Sequence, residues 1–196
     1  MLKTKLIAAV FVLAGLGACN TVATTKNISP DVQAPIQSTK SASWRVRDVR
    51  VLVPDSLSVS EANLYLPPSD IVWREDPFGD RRAQVATIMD TALTDGVKGF
   101  HGYQPVDLDV QITRFHALSQ KARATVGGRH TILFLMTIRD AETGLTLVGP
   151  VEVEANLAAF GGQKAIDAAM QGETQKVRIT RHVADVIKQQ LAVYTN

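Results

Sequence analysis

Four histidines, His101, His116, His130 and His182, and one cysteine, Cys19, are the side chains of this 196-residue chain best suited to metal ligation or nucleophilic attack. A zinc site needs three or four ligands converging at close range, and no HExxH or CxxC spacing is present. His116 and His130 share the apolar parity of their strands and can approach each other at one sheet end, where hydrogen-bonded structural roles compete with ligation. Asp107 and Asp109 stand two apart in an alternating run, so both fall on the polar face of one strand, and alternation alone accounts for the pair. No GxSxG elbow supports Ser/His/Asp catalysis. Gly127-Gly128 is followed by neither the Lys nor the Ser/Thr of a phosphate cradle and reads, like Gly161-Gly162, as a bulge or tight bend. The expectation is a non-enzymatic protein with no metal site and no cofactor.

Two surfaces remain as candidates for binding. Arg114, Lys121, Arg123 and Arg129 gather around the connection from Phe115 to His130, where they could face anionic headgroups or simply be solvated. Trp73 and Phe78 lie in a long irregular segment and are the candidate partner contact, with packing of that segment onto the sheet edge as the competing reading. With 45% apolar and 20% charged residues the chain is neither disordered throughout nor polytopic in a membrane. Removing Lys3 and Lys5, which belong to a cleavable leader, from 21 basic residues leaves 19 against 19 acidic ones. A neutral balance without a basic stripe argues against nucleic acid as a partner.

The elements that must position these residues form one α+β domain over residues 44–196. Trp44 to Val53 alternates with a parity change near Arg47-Asp48 that a bulge explains, and Pro54 ends the strand. Pro54 to Gly79 is irregular, with one helical turn expected at Ser60 to Leu64. Asp80 caps a helix over Arg81 to Asp95. Val106 to Thr113 is a strand with one polar face, and Thr131 to Arg139 is a central strand, apolar on both sides. Asp140 to Gly144 closes a hairpin, and the return strand from Leu145 to about Leu157 is interrupted at Gly149-Pro150, which suits an edge or a bulge. A short helix over Gln163 to Met170 and a long one over Thr174 to Tyr194 complete the domain, the long one with Val177, Thr180, Ala184, Ile187, Leu191 and Tyr194 on one face. That order predicts an antiparallel-rich sheet of about four strands with two main helices packed on one face.

The amino-terminal segment supplies the address. Met1 to Lys5 carries two positive charges and Leu6 to Ala18 is uncharged, the pattern of a signal peptide over residues 1–18 and too short for a membrane span. Cys19 directly after Leu16-Gly17-Ala18 resembles the lipobox of bacterial lipoproteins. The resemblance implies that Leu16, Gly17 and Ala18 guide the signal peptidase and that Cys19 receives three acyl chains of the palmitate kind. It also implies, from Asn20, delivery to the periplasmic leaflet of the outer membrane. A single cysteine allows no intramolecular disulfide, so the domain depends on its core. Residues 19–43, rich in Thr, Ser, Gln and Pro, form a flexible tether behind the acylated cysteine.

Asp70-Ile71-Val72-Trp73-Arg74 with Asp76-Pro77 and Gly79-Asp80-Arg81 is the first half of a wider pattern. Its second half is Thr113 to Leu118 with Lys121-Ala122-Arg123 and Val126-Gly127-Gly128. In combination these resemble an uncharacterised family of alphaproteobacterial lipoproteins over about Trp44 to Leu191, a likeness that implies no catalytic residues. The element order is also similar to that of auxiliary lipoproteins of ABC-type lipid transporters and envelope-assembly lipoproteins, a likeness of fold alone. The function expected is that of a lipid-anchored, periplasm-facing envelope lipoprotein acting as a non-enzymatic interaction or accessory module, held to the membrane through Cys19 and meeting an envelope protein partner. The alternative is a lipid-binding auxiliary subunit of an envelope lipid-transport system.

Overall fold

The computed structural model describes residues 43–195; the leader, Cys19 and nearly all of the tether lie outside that range. Alternating apolar residues build strand β1 (Trp44–Leu52), strand β3 (Gln104–His116), strand β4 (Gly128–Asp140) and strand β5 (Thr146–Glu154), hydrogen-bonded in the order β1-β3-β4-β5. Two short strands, β2 (Ile71–Val72) on β3 and β6 (Leu157–Ala159) on β4, extend the sheet to six. The register of β1 slips between Val46 and Asp48, where the parity change demands a bulge. β3, β4 and β5 form an antiparallel meander, with β5 and its Gly149-Pro150 at the edge.

Most of the pairing is antiparallel, as expected, but the sheet is mixed: β1 and β2 both run parallel to β3. The cause is helix α1 (Arg81–Val97), which lies between β1 and β3 in the chain and carries it back to the end where β1 began. Asp80 caps α1, its carboxylate accepting from the Arg82 and Ala83 N–H groups. Asp80→Ala leaves both donors without that acceptor and is expected to cost about 1 kcal/mol, read as a lower thermal midpoint with secondary structure retained.

α1 and the last helix, α4 (Gln175–Thr195), contact each other and share one apolar core with the sheet. α4 buries Ile179, Val183, Ile187 and Leu191, a strict i, i+4 stripe, so Val177, expected inside, is exposed. Gly96 makes the helix contact fit, because a Cβ there would stand 2.4 Å from Ile187 Cγ2 and 2.5 Å from the Ala184 carbonyl. Among the described residues the buried core runs from Trp44 to Leu191.

Two short helices sit at the other end of the sheet. α2 (Gln120–Ala124) occupies the connection from β3 to β4, and α3 (Gly162–Met170) follows β6. Gly127 and Gly161 hold them close: a Cβ on Gly161 would lie 1.9 Å from the Gly127 nitrogen. No helical turn forms at Ser60 to Leu64; that stretch stays irregular, and Val59 instead bridges to Ile71.

Candidate functional site

The segment between β1 and α1 is packed back onto the domain through its charges. Ser58 binds the Asp70 carboxylate through its N–H at 2.9 Å and its hydroxyl at 2.7 Å. Glu61 bridges two arginines, accepting from Arg74 at 2.7 Å and from the buried Arg81 at 2.6 Å. The Arg81 guanidinium, through its hydrogen bond first, holds the Glu61 carboxyl below its ordinary range. Trp73 donates from Nε1 to Asp76 at 2.8 Å, and Lys176 of α4 reaches the same carboxylate at 2.9 Å.

This network separates the two residues expected to form a partner contact. Trp73 is wholly buried, its ring edge-on to Phe115 with centroids 5.8 Å apart, so it cannot touch a partner. Phe78 is 84% exposed, with only the Arg81 guanidinium 5.8 Å from its ring. Trp44 is also buried, stacked on Tyr194. Asp76 is what draws Trp73 inward, because an indole N–H entering a core needs an acceptor to accompany it.

The histidines are structural in their contacts. His116 Nε2 lies 2.9 Å from the Pro67 carbonyl, and His182 Nε2 lies 3.1 Å from that of Asn156. His130 is fully buried and neither ring nitrogen has a protein hydrogen-bond partner. Burial above all, then Arg178 and His116, pushes its imidazole down to about 4. The register sets His116 opposite Thr131, the neighbour of His130, and among the described residues no group of three His, Cys, Asp or Glu side chains is placed to hold a metal ion. The Ser119 hydroxyl is occupied as the N-cap of α2, accepting from the Ala122 N–H at 3.1 Å.

Asp107 and Asp109 face away from the helices and are neutralised by arginines. Arg47 grips Asp107 at 3.1 and 2.8 Å, and Arg50 spans Asp107 and Asp109 at 3.1 and 2.6 Å. Arg139 adds a bond to Asp109 at 2.8 Å. Burial works to raise the Asp109 carboxyl, but the bonds from Arg50 and Arg139 outweigh it and leave it below its ordinary value. Such a carboxylate is a poor proton carrier near neutral pH.

The α2 and α3 end differs in character. An apolar trough of about 520 Å³ runs between the helices, lined by Ala124, Ala165, Ile166, Ala169 and Met170, with Arg123 at its rim. Lys121 lies beside it with Nζ 4.5 Å from the Tyr65 ring, and its N–H donates to Asn63 at 2.7 Å, which fixes the Leu64 to Leu66 tip against α2. Periodicity is mute on α2, which is five residues long, although Ser119 followed by Gln120-Lys121-Ala122-Arg123-Ala124 carries a cap and helix formers.

A solved structure of a candidate lipoprotein from Caulobacter crescentus CB15 is similar at 18% identity over 56% of this chain and 82% of its own, with a TM-score of 0.32. No curated protein matches the chain. Family membership, by contrast, is shown: over residues 44–196 the chain belongs to DUF6778, a family of unknown function.

Proposed function

We propose that the chain is a lipid-anchored, periplasm-facing envelope lipoprotein whose domain is a non-enzymatic interaction or accessory module. One observation carries this reading. The single thiol, Cys19, directly follows the uncharged run Leu6 to Ala18, and the Pro-, Ser- and Thr-rich stretch behind it ends where the family domain begins, at residue 44. That order, an uncharged leader, a thiol and a polar spacer ahead of the family domain, is the order a tethered lipoprotein requires. Three acyl chains exceed the two that suffice for stable anchoring, each buried CH₂ contributing ~0.8 kcal/mol. Among the described residues no helix is long and apolar enough to cross a membrane. Asn20, the residue behind the cysteine, supports sorting to the periplasmic leaflet of the outer membrane.

Cys19→Ser is expected to abolish incorporation of labelled fatty acid and to leave the precursor uncleaved, its amino terminus still Met1. Normal acyl labelling of that variant would refute the anchor. The alternative reading, an auxiliary subunit that carries lipid, would need the trough between α2 and α3 as its binding site. Ile166 and Met170 on its wall are themselves exposed, so it does not shield an acyl chain from water, and the protein matches lend the transporter likeness no support.

A further inference from the structure

Six of the large apolar side chains left exposed by the fold lie at one end of it: Leu64, Tyr65 and Leu66 on the irregular segment, Val126 after α2, and Ile166 and Met170 on α3. Leu66, Val126 and Met170 are each about three-quarters exposed, at 75%, 76% and 75%. Burying such groups in their own core was open to the chain and did not happen, and an apolar cluster of this kind marks a contact surface. Its free charge is basic. Arg114, Lys121, Arg123 and Arg129 surround the connection from β3 to β4, which holds no carboxylate, and Glu173, which lines this end beside Arg123, is held by Arg181 at 2.7 Å. Arg114 is paired with Asp70, whereas Lys121, Arg123 and Arg129 make no ion pair among the described residues. The carboxylate of α3, Asp167, is held by the Gln163 amide at 2.8 Å.

We infer that this end of the domain docks on an anionic phospholipid surface, with Leu66, Val126, Ile166 and Met170 entering the headgroup layer and Lys121 and Arg123 meeting phosphates. Tyr65, capped by the Lys121 ammonium, has the half-apolar, half-polar make-up that suits the level of the headgroups. The apolar tips stand on three separate segments, which fits a deformable surface. A partner helix needs anchors along several turns, and α2, five residues and roughly 7.5 Å long, is too short a wall to seat one. The docking end is also distant from Trp44: that residue pairs with Gln104 at the start of β3, while α2 follows its last residue, His116, roughly 40 Å away at 3.3 Å per residue. The 24 residues from Asn20 to Ser43 span at most roughly 80 Å, so a tethered domain can lay this end on the bilayer that holds it.

The test uses the chain from Asn20 onward, which retains every described core residue and lacks Cys19, so its failure leaves the acylation reading untouched. It is floated with phosphatidylcholine vesicles made with or without phosphatidylglycerol. Binding is expected only with phosphatidylglycerol and should fade as salt shortens the screening length from about 10 Å at 0.1 M to about 3 Å at 1 M. Lys121→Glu with Arg123→Glu, and separately Leu66→Glu with Met170→Glu, should each lower the apparent affinity at least about tenfold with unchanged thermal unfolding. Leu145→Glu, exposed in the hairpin at the far end of the sheet, should bind as the parent does. Absence of flotation, the result expected if a protein occupies this surface, overturns the inference. So does binding indifferent to phosphatidylglycerol, or binding that survives both double substitutions.

Discussion

Trp73→Ala is expected to lower the unfolding free energy by about 3–5 kcal/mol, while Phe78→Ala, five residues on, should change it by no more than about 0.5 kcal/mol. Both are aromatic, both lie in the segment between β1 and α1, and nothing local distinguishes them. The difference comes from what surrounds each ring. Trp73 is fully buried against Phe115, and truncation leaves a cavity that the surrounding strands and helices cannot close without moving backbone. It also removes one of the two donors on the Asp76 carboxylate, the other being Lys176, so the tie between this segment and α4 loosens as well. Phe78 gives up only the loose approach of the Arg81 guanidinium. Urea unfolding with an unchanged m-value measures both. A Trp73→Ala loss below about 1 kcal/mol would show that the ring is not part of the core, and would return it to the list of partner contacts.

The same pair shows where reading the chain stops. Alternation and helical spacing report which faces are buried, and from them β1 with its bulge, α1 with its Asp80 cap, the polar face of β3 and the edge position of β5 are all legible. Strand direction is not encoded in alternation, and the parallel pairing of β1 with β3 depends on how α1 returns the chain. β2 has two residues and α2 five, too few for any period to register. The stripe of α4 is ambiguous in sequence, because Val177, Thr180 and Ala184 repeat almost as well as Ile179, Val183 and Ile187, and only the packing partner decides between them. Whether a loop aromatic turns inward is set by an acceptor such as Asp76, whose own position is fixed by Lys176, 100 residues away. The docking end was visible as a cluster of basic residues, but its apolar half comes from residues 64–66 and α3, which are brought together only by the fold.

Acid should weaken the wild-type domain in a window that His130→Leu removes. In the folded chain the imidazole titrates near 4, chiefly because burial disfavours its charged form, against an ordinary 6.5 when unfolded. Above about pH 6.5 both states are neutral at this ring, and it makes stability independent of pH. Between 6.5 and about 4 the unfolded chain takes up a proton that the folded one refuses, so stability falls with pH by up to about 1.4 kcal/mol per unit. Below about 4 both states are protonated and the loss levels off at about 3 kcal/mol. The carboxylates held down by arginines, Glu61 and Asp109 among them, lose their contribution lower on the scale, because their ordinary values are 4.5 and 3.8. The interval from 6.5 to 5 therefore separates the histidine from those carboxylates, and the His130→Leu comparison separates it from the other histidines. Leucine has a similar volume and no proton to exchange, and the two ring nitrogens it replaces have no protein partner, so stability at pH 7 should stay within about 1 kcal/mol of the parent. Urea unfolding at pH 7, 6 and 5 should then show the wild type losing on the order of 2 kcal/mol across that range and the variant remaining nearly level. Parallel pH dependence in the two proteins would mean that the His130 ring reaches solvent, or a partner able to accept its proton, in the folded state.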